Sequence, residues 1–384
     1  MIYEIMRKDI SLAIINMEDG SVKINETLPI GLELIETNNT ASIQVRIKNI
    51  SNFKSWCAGR VLMMNQKHAK KICNALAISQ DFNDDNRMKI ALIYKCTTLQ
   101  DAFWVKEEGN LLKYKDVSLF QNKSSNILTP VSLRGESSIF NKTLKNWVDI
   151  GTDGTLAKSW VRENGVYYLL KQSDNCEGEI LASKIGKALN IDCIVYSLED
   201  KEKNIIKCKC FTNEDYGFLP FNVFVKQYGN KAIEYIKDNF IGDYANLAVF
   251  TYLVGNEDLH DKNWGLKINN DTGKIIGLAT NFDFDGCFLN SYKASDNNYF
   301  LPECRFLDND KHLLQYFYEW DINSDISIIG PTIKDAALEA ASKCTINFDN
   351  LDTNIIPEKF KDIFIERLKN IQKYKEKQNN SFEK

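Results

Sequence analysis

The sequence predicts an α+β chain of more than one domain, and three patterns carry that expectation. Apolar and polar residues alternate in short runs over the first 50 residues. A second group of strand-like runs, with one helical segment among them, lies between Thr155 and Phe211, and from Leu219 onward apolar residues recur mainly at helical spacing. At 384 residues the chain is long enough to bury a sizeable core without disulfides or a structural metal.

Along the N-terminal part, Ser11 to Ile15, Ser21 to Ile24 and Ser42 to Ile47 read as strands of a small antiparallel sheet, with Asp19-Gly20 as a hairpin turn. From Asn52 to about Ala77 the spacing becomes helical, through Ala69, Ile72, Cys73 and Leu76, with Asn52 or Gln66 as helix starts. Between Leu111 and Leu144 the composition shifts to Asn, Ser and Lys, so QNKSSN and RGESS read as loops at a flexible boundary. Two strands follow, Thr155 to Val161 and Val166 to Lys171, then a helix from Gly178 to Leu189 and two more strands, Ile191 to Leu198 and Ile205 to Phe211. Helices are expected over Ala232 to Asn239, Asp243 to Leu253, Thr332 to Ser342 and Glu358 to Lys375, with a hairpin around Asp271-Thr272-Gly273. The expected division is a sheet-plus-helix region over 1–142, a strand-rich segment with one helix over 143–218, and a mainly helical segment over 219–384.

Composition removes several functions. Hydrophobic residues at 44% and charged residues at 26% place the chain among ordinary folded proteins and away from disordered ones. A net charge of -4 gives no global positive field, so neither nucleic acid nor an anionic membrane surface is an expected partner, and Lys67, Lys70 and Lys71 read as a solvated helix face. The ten cysteines contain no CxxC pair, and Cys208 and Cys210 fall on one strand face without a second ligand pair, so reduced thiols in a cytoplasmic protein are expected. No apolar run approaches the roughly 20 residues of a membrane helix, and the opening MIYEIMRKDISLAII lacks signal-peptide character.

The chemistry concentrates in GNEDLHDKNWG, Gly255 to Gly265, where a strongly apolar helix gives way abruptly to polar residues. Helix capping and a tight loop account for many such stretches. Here, however, Asp258 and Asn263 stand five positions apart, the interval of phosphoryl-transfer loops in which an Asp takes the acceptor hydroxyl proton and an Asn holds a metal. The hairpin after Gly265 returns the chain to Asn281-Phe282-Asp283, which brings Asp283 beside Asn263 as a second oxygen ligand for Mg²⁺. Upstream, Gly151 and Gly154 let the backbone around Thr152, Asp153 and Thr155 approach phosphate oxygens closely, although two glycines three apart also make an ordinary turn. Lys171 ends the apolar strand VYYLLK and suits an anion, with Glu179, or its competitor Glu177, at the start of the next helix as the orienting carboxylate.

In their order, the Gly-containing strand pair, the strand lysine, the helix GEILASKIGKALNI, then GNEDLHDKNWG and LATNFDFDG resemble the HipA-like serine/threonine kinases, whose catalytic loop has the form N-x-D-x-H-x-x-N. The resemblance runs from about Thr143 to the C-terminus, and AFWVKEEG and YKDVSLFQN make the first 140 residues similar to the N-terminal part of stand-alone bacterial members. It implies a two-lobed protein-kinase-like fold, ATP and Mg²⁺ as cofactors, and a protein serine or threonine as acceptor. Residue by residue it makes Asp258 the catalytic base with His260 supporting the loop beside it, Asn263 and Asp283 the metal ligands, and Lys171 the ATP-phosphate contact. The family also implies a DNA-binding antitoxin partner and an autophosphorylated serine near the nucleotide, for which Ser137, Ser138 and Ser159 are candidates. Two positions depart from the pattern: Leu259 stands where the family often has Arg, and Asp283 opens DFDG. A small-molecule or phosphoinositide-type kinase, and a pseudokinase acting as an interaction module, are the competing readings.

Overall fold

Short apolar runs along the first 24 residues build the first sheet, in which β1 (Ile2–Arg7) pairs antiparallel with β2 (Ile10–Asn16), and β2 with β3 (Val22–Ile24). The computed structural model describes residues 1–81, 83–122, 126–137, 149, 151, 154–256, 258–288, 343–349 and 351–382. They fall into two compact units, one made of Met1–Gln172, Glu199–Leu219 and Lys267–Ile276, the other of Ser173–Leu198, Pro220–Leu266 and Gly277–Lys384.

In the first unit β4 (Phe103–Glu107) adds to the free side of β1, giving the order β3-β2-β1-β4. The Asp19-Gly20 turn forms as expected, with Asp19 Oδ1 accepting from the Ser21 amide at 2.9 Å. The segment Ser42 to Ile47, expected as a strand, instead begins α1 (Ile43–Ala58). Ser42 is the reason: its hydroxyl accepts from the Val45 amide at 3.3 Å and caps the helix, whose inner face is then Asn49, Phe53 and Cys57. Asn52 therefore lies within a helix instead of starting one, and Gln66 precedes α2 (Ala69–Leu76), which starts after His68. Phe53 stacks on Tyr3 at 5.8 Å, fixing α1 to the sheet. The helix α3 (Asp84–Ile93), packed on α1, and the short α4 (Tyr114–Val117) and α5 (Thr129–Arg134) complete the N-terminal part.

Arg60, nine-tenths buried, organises the turn between α3 and β4. Its guanidinium donates to both carboxylate oxygens of Asp101 at 2.6 and 3.0 Å, to the carbonyls of Cys96 and Phe103 at 2.6 and 3.2 Å, and to Thr98 Oγ1 at 3.3 Å. Removing one member of a buried, fully bonded ion pair strands the other charge. Arg60→Ala is accordingly expected to destabilise the chain by about 3–5 kcal/mol, read as a lowered urea midpoint at unchanged slope.

The second sheet of this unit has the order β5-β6-β8-β7. Here β5 (Lys158–Glu163) and β6 (Val166–Gln172) form a hairpin that sets Lys158 opposite Lys171, and β8 (Ile205–Lys209) pairs with the other side of β6. Ile191 to Leu198, expected as a strand, is mostly irregular: Cys193 makes a single parallel bridge to Asn281, and only β7 (Ser197–Asp200) is regular. Val195 and Leu198 are exposed, so the run lacks the burial that its composition suggested.

In the second unit α6 (Cys176–Ala188) agrees with the expected helix, and α7 (Phe221–Tyr228) precedes the long α8 (Asn230–Val254). The two helices expected over Ala232 to Asn239 and Asp243 to Leu253 run together as α8, and Phe240, with φ -138°, marks the break between them. From Leu247 to Val254 every residue of α8 is buried, the signature of a helix enclosed on all sides. Against it packs α9 (Glu358–Phe382), while the expected helix over Thr332 to Ser342 lies outside the described residues. A further three-stranded sheet, most of whose residues belong to the first unit, has the order β11-β10-β9, with β9 (Tyr216–Pro220), β10 (Gly265–Asn269) and β11 (Ile275–Leu278), and its β10–β11 turn is the expected Asp271-Thr272-Gly273 hairpin. Asn269 Oδ1 holds that turn by accepting from the Asp271 and Thr272 amides at 3.0 and 2.8 Å. No helix among the described residues is long and apolar enough to cross a membrane.

Candidate active site

At the C-terminal end of α8 the chain must leave a fully buried helix and turn at once. Gly255 makes this turn in the left-handed conformation at φ +63°, and a Cβ there would lie 2.4 Å from the Arg367 guanidinium, so glycine is favoured. Asn256, 2% exposed, then ties two strands of chain together. Its Oδ1 accepts from the Asp258 amide at 3.2 Å and its Nδ2 donates to the Asp283 carbonyl at 3.2 Å.

The loop closes on itself. Asn263 Nδ2 donates to both the carbonyl and the Oδ2 of Asp258, at 2.9 and 3.0 Å. That leaves Oδ1 as the side-chain atom with which Asn263 can meet a cation. His260 Nδ1 accepts from the Lys262 amide at 3.2 Å, while its Nε2 stands 4.0 Å from Asp258 Oδ1, beyond hydrogen-bond range. The Asp258 side chain is about half exposed, at 49%.

Opposite lies the segment Asn281 to Phe288, pinned at nearly every second residue. Asn281 exchanges hydrogen bonds with the Asp192 carbonyl and the Ile194 amide, each at 2.9 Å. Asn175, which caps α6, donates from Nδ2 to the carbonyls of Asp285 and Cys287 at 2.9 and 2.6 Å, and the Phe288 amide donates to the Val254 carbonyl at 3.2 Å. Phe284 points inward, 3% exposed, edge-on to Phe250 and Tyr196. Asp283 and Asp285 flank this anchor, and Asp283 is held at φ +61°, an uncommon conformation for any residue with a side chain.

The outcome is a cluster of three carboxylates, Asp258, Asp283 and Asp285, with one oxygen from each within 4.8 Å of the others. Like charges at that spacing repel by about 1 kcal/mol per pair even in water, and a divalent cation reverses the sign. Mg²⁺ takes octahedral oxygen ligands at about 2.0–2.1 Å, usually one or two carboxylates with the rest from water and phosphate, a donor set that this cluster fits. Hard oxygen donors without nitrogen or sulfur suit Mg²⁺ or Mn²⁺ rather than zinc.

Of the residues singled out in the sequence, Asp258, Asn263 and Asp283 converge in the second unit, with His260 in the same loop. Asp285 and Asn256 were missed. The D-x-D spacing was a signal for the first; nothing local distinguishes the second from other loop asparagines. In the first unit, Gly151 donates its amide to Asp149 Oδ1 at 2.6 Å, Gly154 is left-handed at φ +100°, and the exposed Thr155 accepts from the Lys67 amide at 2.8 Å. Thr152 and Asp153 lie outside the described residues. Lys171 is 1% exposed, and Glu179 in the second unit is fully buried. Glu177 is instead on the surface, 2.6 Å from Lys359 Nζ. Ser137 is exposed, Ser138 is outside the described residues, and Ser159 is buried with its hydroxyl 3.1 Å from Thr129 Oγ1. Lys67 and Lys71 do more than form a solvated face, since their ammonium groups donate to Gln172 Oε1 and the Gly135 carbonyl at 2.9 and 2.6 Å.

Several solved structures are similar to this chain, among them two kinase-related proteins. One is the Helicobacter pylori proinflammatory kinase CtkA, 17% identical, matched over 59% of this chain and 92% of that one with a TM-score of 0.40. The other is HipA of Shewanella oneidensis MR-1, solved with HipB and its operator DNA, 11% identical over 97% of this chain and 95% of that one, with a TM-score of 0.48. No family model matches the sequence, and no curated protein matches it. The mixed helix-and-sheet class with small antiparallel sheets agrees with the sequence expectation.

Because Asn256 joins the backbone of Asp258 to that of Asp283, it helps to set the distance between the two acids. Asn256→Ala is expected to lower divalent-metal affinity about 10–100-fold, as loss of a residue that orients metal ligands generally does. Titration of the variant with Mn²⁺ measures the shift.

Proposed function

We propose that this chain is an ATP- and divalent-metal-dependent serine/threonine protein kinase of the HipA-like type. The observation that carries the reading is the meeting of Asp258, Asp283 and Asp285 within 4.8 Å, with Asn263 locked to Asp258. Asp283 and Asp285 would hold the metal together with the Asn263 Oδ1, and Asp258, the most exposed of the three, would accept the proton of the acceptor hydroxyl. The metal, when bound, neutralises the phosphate charge that develops as the γ-phosphoryl group leaves ATP. Asn263 donates to the Asp258 Oδ2 and fixes the direction in which the carboxylate faces. Asn175 and Asn256 hold the backbone under the metal ligands, so that little ordering is required when the ion arrives.

Lys171 is the proposed contact to nucleotide phosphate, and Glu179 is the proposed orienting carboxylate, since Glu177 is occupied by Lys359 at the surface. The Gly154–Thr155 end of the turn is the proposed backbone cradle. The acceptor is a protein hydroxyl, and by the resemblance in sequence a DNA-binding antitoxin is the proposed partner in a cytoplasmic setting. Among the candidate serines, exposure favours Ser137 over the buried Ser159 as a self-modification site.

Incubation of the purified chain with γ-labelled ATP and Mg²⁺, alone and with a cell extract, tests the reading. Phosphoserine or phosphothreonine on protein supports it; transfer confined to a small molecule replaces it with the small-molecule kinase reading. ATP binding without transfer under any divalent metal points to the pseudokinase.

A further inference from the structure

Arg7, the last residue of β1, is only 7% exposed, yet among the described residues no carboxylate, carbonyl or hydroxyl accepts a hydrogen bond from its side chain. Its Nε is enclosed without a partner. The guanidinium lies along the β10–β11 turn, where a Cβ on Gly273 would stand 3.1 Å from Nη1 and 3.8 Å from Cδ. Gly273 is left-handed at φ +72°, so the turn and the clearance over the guanidinium both call for glycine. Acids on the neighbouring elements are committed elsewhere. Asp271 Oδ1 takes the Lys8 ammonium at 2.6 Å, Asp9 Oδ1 accepts the Tyr114 amide at 2.7 Å, Glu4 pairs with Lys106 at 3.2 Å, and Asp101 is held by Arg60. Arg60, buried to a similar degree, offers the contrast, because its Nε, Nη1 and Nη2 all donate to protein acceptors.

A guanidinium enclosed by protein and left without an acceptor lowers stability, and unlike an ammonium it cannot shed its charge to relieve the cost. Folds keep such local conflicts at functional positions, where a ligand supplies what the protein withholds. We infer that Arg7 is the recognition residue of an oxyanion-binding site in the first unit, which takes a carboxylate or a phosphate group on the planar edge of the guanidinium. The fork of Nη1 and Nη2 meets either anion with two parallel hydrogen bonds, and with Nε sealed in it is the edge open to a ligand. Gly273 keeps that edge clear of a side chain, and the Lys8–Asp271 pair ties the β1–β2 turn to the β10–β11 turn, fixing the two walls. Every group named here belongs to the first unit, and neither the metal cluster nor the nucleotide enters the inference.

Thermal unfolding of the full chain tests the site, with inorganic phosphate or acetate replacing chloride at constant ionic strength. At about ten times its dissociation constant, a bound anion should raise the wild-type midpoint by about 2 °C. A response to phosphate alone identifies a phosphate ligand, and a response to acetate a carboxylate. Arg7→Met keeps an unbranched side chain of similar length and removes the charge. It is expected to lower anion affinity about 10–100-fold, the contribution of a hydrogen bond to a charged group. In chloride its own midpoint should equal or exceed that of the wild type, because an unpaired buried charge has gone. An arginine with a purely structural role gives the reverse, a lower midpoint with the anion response intact. Phosphate held at Lys171 would raise the midpoints of both chains alike, so the difference between them is the deciding readout.

A wild-type midpoint that neither anion moves would overturn the assignment without recourse to any variant, as would an equal response in the wild type and Arg7→Met. Should Arg7→Met fail to fold, Arg7→Lys carries the comparison, since it keeps the charge and loses the planar fork. Its anion response is expected to fall, and a response equal to that of the wild type overturns the site.

Discussion

Asp258→Asn should abolish most phosphoryl transfer, lowering kcat by about 10²–10⁴-fold, the usual contribution of a positioned general base. The substitution keeps the shape of the side chain and an oxygen able to accept from Asn263 Nδ2, so the loop is retained. About half of the Asp258 side chain is exposed, and surface substitutions of that kind change stability by within about 0.5 kcal/mol. ATP affinity should therefore hardly move. The expected pattern is a large fall in kcat with KM for ATP close to that of the wild type, measured by steady-state transfer to whichever acceptor is labelled. A variant with unaltered kcat would remove Asp258 from the chemistry.

The second large effect is expected at Asp283, and its backbone conformation decides which substitution is informative. At φ +61° an asparagine is tolerated nearly as well as aspartate, whereas a β-branched residue would add strain of about 1–3 kcal/mol and confound the result. Asp283→Asn removes one charge from the cluster of three while the Asn256 bond to the 283 carbonyl persists, because that bond involves only the backbone. Transfer at low Mg²⁺ is expected to fall about 100-fold or more, with partial recovery at high metal concentration, since a neutral oxygen ligand binds Mg²⁺ more weakly than a carboxylate. Asp283→Val should behave differently, losing thermal stability together with activity. The comparison of the two separates a ligand from a turn residue.

Much of the site was legible in the sequence because its parts are linked by short, regular connections. Asp258 and Asn263 share one tight loop, and the β10–β11 hairpin returns the chain to Asp283, so spacing and turn chemistry were enough to predict that these groups come together. Asp285 was passed over although it stands two residues beyond Asp283. The inward anchor of Phe284 and the Asn175 clamp on the Asp285 carbonyl hold the segment that brings its carboxylate to the same side. Asn175 reaches across 110 positions in the chain, and no local pattern encodes such a contact.

In the fold, the errors fall where a short apolar run fits two periods. Ser42 to Ile47 alternates like a strand, yet Ile43, Ile47 and Ile50 also stand at helical spacing, and the Ser42 cap decides in favour of the helix. Ile43 and Ile47 remain exposed, which removes the burial that alternation normally signals. By contrast, the kink in α8 at Phe240 was legible in the sequence as the gap between two helical segments. β4 escaped notice because its pairing with β1 joins residues about 100 positions apart, and its own run of five residues is too short to stand out.

The most direct test of the central claim is electron paramagnetic resonance of Mn²⁺ bound to the full chain with a non-hydrolysable ATP analogue. Wild type should bind Mn²⁺ in a nucleotide-dependent manner, and Asp283→Asn should lose that binding under the same conditions. Equal binding by the two chains, or Mn²⁺ uptake indifferent to the nucleotide, would contradict a metal held between these carboxylates for phosphoryl transfer.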